Sequence, residues 1–264
     1  MTNESICSLT NFVGKTLVIT EFELRKLRHD FTELITRALQ PALWLLIFGQ
    51  VFARSGAMHT GDIPYLDFIA PGILAQSVLF VAIFYGINVI WERDLGIVQC
   101  FLASPTPRGA LVLGKGLSAG VRTLSQVLVV YSLAFLLGVK LNWSPLALLN
   151  VLAIVILAAT LFSTFSLIIA CIVKTRERFM GVGQVLTMPL FFASNAIYPT
   201  DIMPPWLKVV SHINPLTYVV DGLRASMLAG GSGAFGLSHD YAVIIIATTV
   251  LVWVGARLYP RLAL

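Results

Sequence analysis

Six apolar runs of 16 to 29 residues, all but one free of charged side chains, constrain this chain more than any other feature. A helix needs about 20 apolar residues to cross a bilayer, and fewer where flanking lysine or arginine side chains extend to the interface. The runs cover residues 38–53, 68–90, 123–139, 145–173, 179–198 and 241–259. They predict an all-α polytopic membrane protein with six transmembrane helices.

The amino-acid composition agrees with this interpretation. Apolar residues make up 57% and charged residues 12% of the 264, against about 45–50% and 25% in soluble domains. Because so little charge cannot cover a soluble globule of this size, we expect one transmembrane domain over residues 1–264. The net charge of +5 is too small and too scattered for a nucleic-acid surface. The three cysteines are far apart, which indicates neither a disulfide framework nor a zinc site.

The lysine and arginine residues are divided unequally between the two sides of the predicted bundle. Fourteen lie in segments on the side of the termini, and four lie on the other side, namely Arg54, Lys140, Lys208 and Arg224. Because basic residues accumulate on the cytoplasmic side, we expect both termini to be cytoplasmic. Lys115 and Arg122 are placed at the cytoplasmic mouth of the third span, and a buried charged pathway is the alternative.

Residues 12–35 have the pattern of an amphipathic helix. Its apolar stripe consists of Leu17, Leu24, Leu27, Phe31 and Leu34, and its opposite face carries Glu21, Arg25, Arg28 and Thr32. Such a helix lies in the membrane interface. It is either an anchor that orients the first span or, in addition, a docking face for a cytosolic partner. The segment Gly14-Lys15-Thr16 lacks the first glycine of a phosphate-binding loop, so no nucleotide cofactor is expected in this chain.

Signatures of catalysis are missing from the sequence. The four histidines stand alone and no GxSxG or HExxH motif occurs, so we assign no catalytic residue and no metal ligand. Polar and aromatic side chains within the spans either join helices to each other or line a transport path. The candidates for such a path are Phe48, Phe84, Asn88, Gln184, Phe192 and Asn195.

The loop after the second span reads WERDLGIVQCFLASPTPRGALVLGKG over residues 91–116. This stretch resembles the corresponding loop of the ABC-2 family of ABC-transporter permeases. The matching residues are Glu92, Arg93, Gly96, Leu102, Ser104, Pro105, Arg108, Gly114 and Lys115. The chain departs from that pattern at Ile97, where threonine is usual, and at Gln99, where glutamate is usual. The resemblance implies a cytoplasmic coupling loop at residues 92–108.

A second stretch, IYPTDIMPPWLKVVSHINPLTYVVDGLR at residues 197–224, carries four prolines. A proline inside a helix costs about 3 kcal/mol, so no straight span runs through it. Together with the residues just before it, the stretch resembles the segment after the fifth span of ABC-2 permeases, through Phe192, Ser194, Pro199, Pro204, Trp206, Leu207, Asn214, Pro215, Leu216, Tyr218, Asp221 and Arg224. The resemblance implies a re-entrant helical hairpin at residues 199–228, between spans five and six. Pro204-Pro205 and Asn214-Pro215 are expected to start its two short helices. An ordinary external loop is the alternative. Asp221 and Arg224 are spaced i, i+3, which allows them to pair with each other.

The resemblance implies the membrane subunit of a bacterial ABC exporter in the inner membrane, similar to drug exporters and lipo-oligosaccharide exporters. A separate ATP-binding subunit would hold ATP and Mg, and the permease would form a homodimer or a heterodimer with a second permease, surrounded by membrane lipid. The residues expected to couple the permease to the ATPase are Glu92, Arg93, Asp94, Gly96, Leu102, Pro105, Arg108, Arg25 and Arg28. The residues expected to form a re-entrant gate are Pro204, Trp206, Asn214, Pro215, Tyr218, Asp221 and Arg224.

Only the hydrophobicity and the low charge of the spans indicate what the cargo is. A hydrophobic chain with few deep charges suits an amphipathic, drug-like or lipid-linked cargo. Export of a polysaccharide or lipo-oligosaccharide, with aromatic rings along the path, is the alternative. A membrane enzyme or assembly factor that works without ATP is a third interpretation, and a bound ATP-binding partner would distinguish the exporter from it.

Overall fold

The computed structural model describes residues 3–27, 39–55, 63–104, 106–173, 175–231 and 233–263. The helices are α1 (Asn3–Leu27), α2 (Leu39–Phe52, π-helical over Trp44–Gly49), α3 (Tyr65–Asp94), α4 (Ile97–Ala103), α5 (Arg108–Leu136), α6 (Pro145–Ile172), α7 (Arg176–Phe192), α8 (Pro205–Ile213), α9 (Pro215–Met227) and α10 (Leu237–Leu258). Short 3₁₀ turns lie at Thr200–Ile202 and Tyr259–Ala263. Since the described part contains no strand beyond an isolated bridge between Leu141 and Leu228, the prediction of an all-α protein is confirmed there.

Four of the described helices are long and apolar enough to cross a membrane. They are α3, α5, α6 and α10 with its 3₁₀ extension to Leu262, and they overlap the spans predicted at 68–90, 123–139, 145–173 and 241–259. The spans predicted at 38–53 and 179–198 coincide with shorter helices, α2 and α7. The polytopic architecture is therefore supported, and the number six stays a prediction.

The fifth predicted span, 179–198, is interrupted before its end. Helix α7 stops at Phe192, and residues 193–199 form turns. The Ser194 hydroxyl donates to the Phe191 carbonyl at 2.7 Å, a local bond that competes with the helical ladder. Residues 193–199 therefore leave the helix axis and run towards α8.

The helix that contains the third predicted span begins 15 residues before that span, at Arg108. The sequence places Lys115 and Arg122 at the mouth of a span starting at residue 123, but α5 begins at Arg108 and includes both. Both side chains are buried, because α1 and the end of α3 cover the first half of α5. The helix begins directly after Pro107, and the cover by α1 and α3 accommodates two charged side chains within it. Whether they lie at the mouth of the span stays a prediction.

Helix α6 lies at the centre of the bundle and contacts α3, α5, α9 and α10. Small residues allow this close packing. A Cβ on Gly86 of α3 would collide with the Ser166 hydroxyl and the Phe179 ring, and a Cβ on Gly116 of α5 would lie 2.8 Å from Thr160. Helices α3, α6 and α10 finish, and α5 begins, at the end that carries α4, which we call the α4 end. Helices α8 and α9 lie at the opposite end, the α9 end.

Candidate coupling site

A buried group of polar and charged side chains lies at the α4 end, where α1, α3 and α5 meet. The Lys115 ammonium donates to Glu23 Oε1 at 3.2 Å and to Glu92 Oε2. The side chain of Lys115 is only 2% exposed, and both glutamates are buried. We call Glu23, Tyr85, Glu92, Lys115 and Ser118 the Lys115 cluster. It joins α1, α3 and α5, which are distant in sequence, through one cation.

Hydrogen bonds from hydroxyl groups complete the Lys115 cluster. The Tyr85 hydroxyl donates to Glu23 Oε2 at 2.9 Å and lies 2.9 Å from Ser118 Oγ. Ser118 in turn donates to the Lys115 carbonyl. The Arg122 guanidinium lies 5.2 Å from the Tyr85 ring centroid, which adds a second positive charge. A buried ion pair is tolerated only when such additional bonds satisfy its remaining polar atoms, so this cluster specifies how the three helices meet.

Glu23 lies on the face of α1 that contacts the bundle. Thr16, Ile19, Thr20 and Glu23 are spaced i, i+3, i+4 and i+7, and all four are buried against the bundle. The Thr20 hydroxyl donates to the Gly114 carbonyl at 3.2 Å. A Cβ on Gly114 would lie 2.8 Å from Ile19, so the glycine allows α1 and α5 to touch.

The apolar stripe predicted for α1 does not face the bundle. Leu17, its first residue, is 58% exposed, and Val13, Val18 and Phe22 are exposed beside it. This outward stripe agrees with the predicted interface helix, and its position in a membrane stays a prediction. Glu21 and Arg25, which share the opposite face and are spaced i, i+4, form an exposed ion pair at 2.7 Å. Arg28 and residues 28–35 of the predicted helix lie outside the described residues.

Helix α4 forms the middle of the predicted coupling loop, 92–108. It begins after Gly96, whose φ of +74° is a left-handed conformation that favours glycine. The Phe101 ring centroid lies 5.6 Å from the Lys115 ammonium and 6.0 Å from the Phe22 ring centroid. Val98 is fully buried, while Gln99 and Cys100 are exposed. One face of α4 is therefore held by α1 and the Lys115 cluster, and the other is open.

The remaining predicted coupling residues have different surroundings. Leu102 is half-buried, and Arg108 is exposed at the start of α5. Pro105 lies outside the described residues. The neighbouring residues Arg93 and Asp94 form an ion pair on the surface of the loop. The Glu92 side chain instead points into the bundle and bonds to Lys115.

A surface ion-pair network lies beside the loop and includes a residue that sequence reasoning missed, Arg176. Asp94 accepts hydrogen bonds from Arg93 at 2.9 Å and from Arg176 at 2.8 Å. These bonds hold the pKa of Asp94, which lies beyond the apolar run 68–90, below its usual range. The Arg176 guanidinium also stacks 3.5 Å from the Trp91 ring centroid. The start of α7 is thereby tied to the end of α3.

Helices α8 and α9 begin where the prolines predict. Pro205 starts α8, and Asn214 caps α9 by accepting from the Leu216 amide at 3.0 Å. The Asn214 side chain also donates to the Leu190 carbonyl of α7 at 2.6 Å. The Tyr218 hydroxyl donates to the His212 carbonyl at 2.8 Å, which fastens α9 to α8. The two helix starts are confirmed, and re-entry into a membrane stays a prediction.

The two charges of α9 do not bond to each other. Both oxygens of Asp221 accept backbone N–H groups, from Ala234 and from Phe235, each at 2.9 Å. Arg224 donates to the Asn195 carbonyl at 2.9 Å, and its guanidinium lies 3.9 Å from the Phe68 ring centroid. The i, i+3 pair suggested by the sequence is therefore wrong as a direct ion pair, because each side chain extends to a different neighbouring segment.

The predicted path residues are exposed or half-buried, with the exception of Asn195. Between residues 67 and 92 of α3, the positions that are not fully buried are Phe80, Phe84, Ile87, Asn88 and Trp91. These five, which we call the α3 stripe, recur at helical spacing and so share one face. Gln184 and Phe192 of α7 and Phe48 of α2 are also exposed. Asn195 is different, because it is buried and its carbonyl binds Arg224.

Comparison with known proteins identifies the family to which this chain belongs. Residues 15–228 match the family described as ABC-2 type transporter. A protein described as the transport permease ycf38 of Cyanophora paradoxa is 28% identical over 228 residues, which cover 85% of this chain and 78% of that protein. The daunorubicin resistance ABC transporter permease protein DrrB1 of Streptomyces coeruleorubidus is 24% identical over 235 residues, covering 89% of this chain and 81% of DrrB1. The inner membrane transport permease YadH of Escherichia coli K12 is 26% identical over 237 residues, covering 83% of this chain and 85% of YadH. Because the family match covers most of the sequence, this chain belongs to the ABC-2 type transporter family, the membrane subunits of ABC transporters.

Proposed function

We propose that this protein is the permease subunit of a bacterial ABC exporter that moves an amphipathic, drug-like or lipid-linked cargo outward across the inner membrane. Family membership supports the role of membrane subunit, and similarity to DrrB1, a daunorubicin resistance permease by name, supports a drug-like cargo. The permease has six spans and cytoplasmic termini, and the α4 end faces the cytoplasm. A separate subunit binds ATP and Mg and supplies the energy.

The single observation that carries this proposal is that α4 packs against the bundle through one face and leaves its other face exposed. The open face of this short helix is available to an ATP-binding subunit, while its other face contacts α1 and the Lys115 cluster. A push on α4 is therefore transmitted to α1, α3 and α5 together, because one buried cation holds all three. Nucleotide binding then favours one of two rigid-body arrangements through its differential affinity for them.

Two copies of the permease, identical or different, enclose the transport path in this proposal. The α3 stripe and the exposed residues Gln184 and Phe192 of α7 supply aromatic and amide groups that one copy leaves uncovered. A second copy that packs on these faces covers the stripe and leaves a path between the two. Asn195 contributes to the wall of that path by holding Arg224 in place.

At the opposite end, α8 and α9 close the path outward. Trp206, Val209, Val210 and Ile213 form one exposed apolar face of α8, which suits the outer leaflet, and tryptophan favours the membrane interface. Most side chains of α9 are buried. The pair thus forms a re-entrant element over residues 199–228, with α8 in lipid and α9 in the protein.

Export of a polysaccharide or lipo-oligosaccharide is the second candidate function. The observation that favours it is the run of aromatic rings on the α3 stripe, where Phe80 and Phe84 are stacked at 6.1 Å. Aromatic faces of this kind also pack against sugar rings. Uptake of a lipid-linked sugar, with no uptake of cationic or drug-like amphiphiles, would favour this candidate over the first.

The decisive experiment is reconstitution of the permease with its ATP-binding partner. The two subunits should co-purify, and inverted vesicles should accumulate an amphipathic probe when ATP and Mg are added. A partner that cannot hydrolyse ATP is the control and should abolish accumulation. Stable isolation of the permease without any ATP-binding partner, together with uptake that ignores ATP, would favour an ATP-independent enzyme or assembly factor.

Cysteine labelling tests the orientation separately. In a variant without native cysteines, a cysteine at position 208 should react with an impermeant reagent in whole cells. A cysteine at position 94 should react only after permeabilisation, because it lies on the cytoplasmic coupling loop. The reverse pattern would show that the orientation argued from the basic residues is wrong.

A further inference from the structure

A groove opens on the side of the bundle between the end of α6 and the first half of α7. Its volume is about 730 Å³, within the range of about 300–1,000 Å³ typical of ligand pockets. The walls are formed by Ile172, Val173, Arg178, Gly181, Val182, Val185 and Leu186. All of these residues are uncharged except Arg178.

The α7 wall of the groove is a single helical stripe. Residues 178, 181, 182, 185 and 186 recur at spacings of three and four along α7, which places them on one face. The nine residues from Arg178 to Leu186 rise about 12 Å along the helix axis. One leaflet of a bilayer is about 15 Å of hydrocarbon deep. The groove therefore spans most of one leaflet, and its charged end lies at the α4 end.

The groove has room for a hydrocarbon chain. Helix α7 makes few contacts with α6 compared with the contacts that α3 makes with α6. A Cβ on Gly181 would meet no atom within 4 Å, so the wall is open at that point. Val185 is 71% exposed and Ile172 is exposed beside it. This surface is apolar and concave, which suits a flexible chain from the surrounding bilayer.

The charge at the end of the groove indicates the headgroup. Arg178 is exposed, and among the residues that the structure describes it has no ion-pair partner. A guanidinium binds phosphate through two parallel hydrogen bonds, and basic pockets between transmembrane helices bind anionic lipid headgroups. We propose that this groove binds one anionic glycerophospholipid, with its phosphate on Arg178 and one acyl chain along the apolar stripe of α7.

A lipid in this groove would contact side chains that belong to the same buried cluster as α4. Val173 and Leu186 pack against a cluster of buried side chains that contains Phe179 and Val98 of α4. The bound chain thus adds an apolar neighbour to the base of the coupling loop. This site goes beyond the proposed export activity, because its occupancy requires neither ATP nor cargo.

Lipid binding to the purified full-length permease tests the proposal by native mass spectrometry. The probes are dioleoylphosphatidylglycerol, which is anionic, and dioleoylphosphatidylcholine, which has the same acyl chains and no net charge. Arg178→Gln should weaken binding of the anionic lipid about tenfold and leave the neutral lipid unchanged, because it removes a charge-assisted contact with phosphate. The matched control is Arg257→Gln, another exposed arginine at the α4 end. It should bind as the wild type does, and an equal loss in both variants would overturn the proposal.

Filling the groove gives an independent test. Gly181→Leu should lower binding of both lipids, and the fold should tolerate it because the position is open and leucine favours a helix. Unchanged binding in this variant would place the lipid elsewhere and overturn the proposal. A Val185→Cys variant without native cysteines tests a second copy as the occupant. Disulfide cross-linking between copies in the membrane would show that the groove is a subunit interface, and would also overturn the proposal.

Discussion

The two ends of the bundle bury their charges in different ways. At the α4 end, Lys115 is bonded to the side chains of Glu23 and Glu92 from two other helices. At the α9 end, Asp221 and Arg224 are bonded to backbone groups of neighbouring segments. Side-chain partners can be exchanged by mutation, whereas backbone partners remain whatever residue is present. The two ends should therefore respond differently when charges are removed singly and together.

The largest effect is expected at the α4 end. Lys115→Met leaves two buried carboxylates without their shared cation, which costs about 3–5 kcal/mol when one partner of a buried pair is lost. The yield of monodisperse protein and its thermal unfolding temperature should both fall. Adding Glu23→Gln and Glu92→Gln should recover most of the loss. Lys208→Met, at a half-buried lysine of α8, is the control, and a Lys115→Met protein as stable as this control would contradict the comparison.

A smaller effect is expected at the α9 end. Asp221→Ala and Arg224→Ala each remove hydrogen bonds to a charged group, worth about 1.5–3 kcal/mol. The loss in unfolding free energy of the double variant should exceed either single loss and approach their sum, because the two side chains bond to different segments and only the attraction between their charges couples them. Unfolding of the two single variants and the double variant, measured in the same detergent, checks this. Partial recovery in the double variant would instead support the direct pair that the i, i+3 spacing suggests.

The third effect is confined to one hydroxyl group of the Lys115 cluster. Tyr85→Phe removes the donor to Glu23 but keeps the ring beneath Arg122. The protein should lose about 1 kcal/mol of unfolding free energy, and ATP hydrolysis by the partner should respond less to cargo because α1 is held less firmly. Tyr131→Phe, in the second half of α5, is the control, because the Tyr131 hydroxyl makes no hydrogen bond to the described residues. An equal loss of unfolding free energy and of the ATPase response in both variants would contradict a special role of the Lys115 cluster.

The smallest effect on stability is expected at the surface network of Asp94. Its bonds to Arg93 and Arg176 lower the pKa of its carboxyl group, so the stabilisation is present at neutral pH and is lost as pH falls through that lowered pKa. Asp94→Asn should therefore leave stability at neutral pH almost unchanged and should flatten its decline in acid. Unfolding temperatures of the variant and the wild type across an acid series measure this. A large loss at neutral pH would mean that the network is as important as the Lys115 cluster.

Much of the fold follows from patterns that are local in sequence. Long apolar runs predict α3, α5, α6 and α10, and prolines predict the starts of α8 and α9, because hydropathy and the missing proline N–H act within a few residues. The end of α7 was not predictable in this way. Ser194 bonds locally to the Phe191 carbonyl, but Asn214 reaches the Leu190 carbonyl from 24 residues away, so this second contact forms only after α8 is in place.

The candidate coupling site was predictable only in part. The family resemblance points to Glu92 and Lys115, but nothing local predicts that Glu23 joins them from 92 residues away. The face of α1 that contacts the bundle was not predictable from the sequence, for a related reason. In a membrane, apolar residues such as Leu17 are stable on the outside, so hydrophobic periodicity does not tell which face contacts the protein.

The Lys115 cluster also sets an order in time for biosynthesis. The ribosome makes Glu23 and Glu92 before it makes Lys115, so the two carboxylates have no shared cation until α5 is translated. Until then α1 lacks the contacts with α5 that fix its position on the bundle. A chain that stops before residue 115 keeps both acidic groups unmatched, which makes an incomplete permease distinguishable from a finished one as it leaves the translocon.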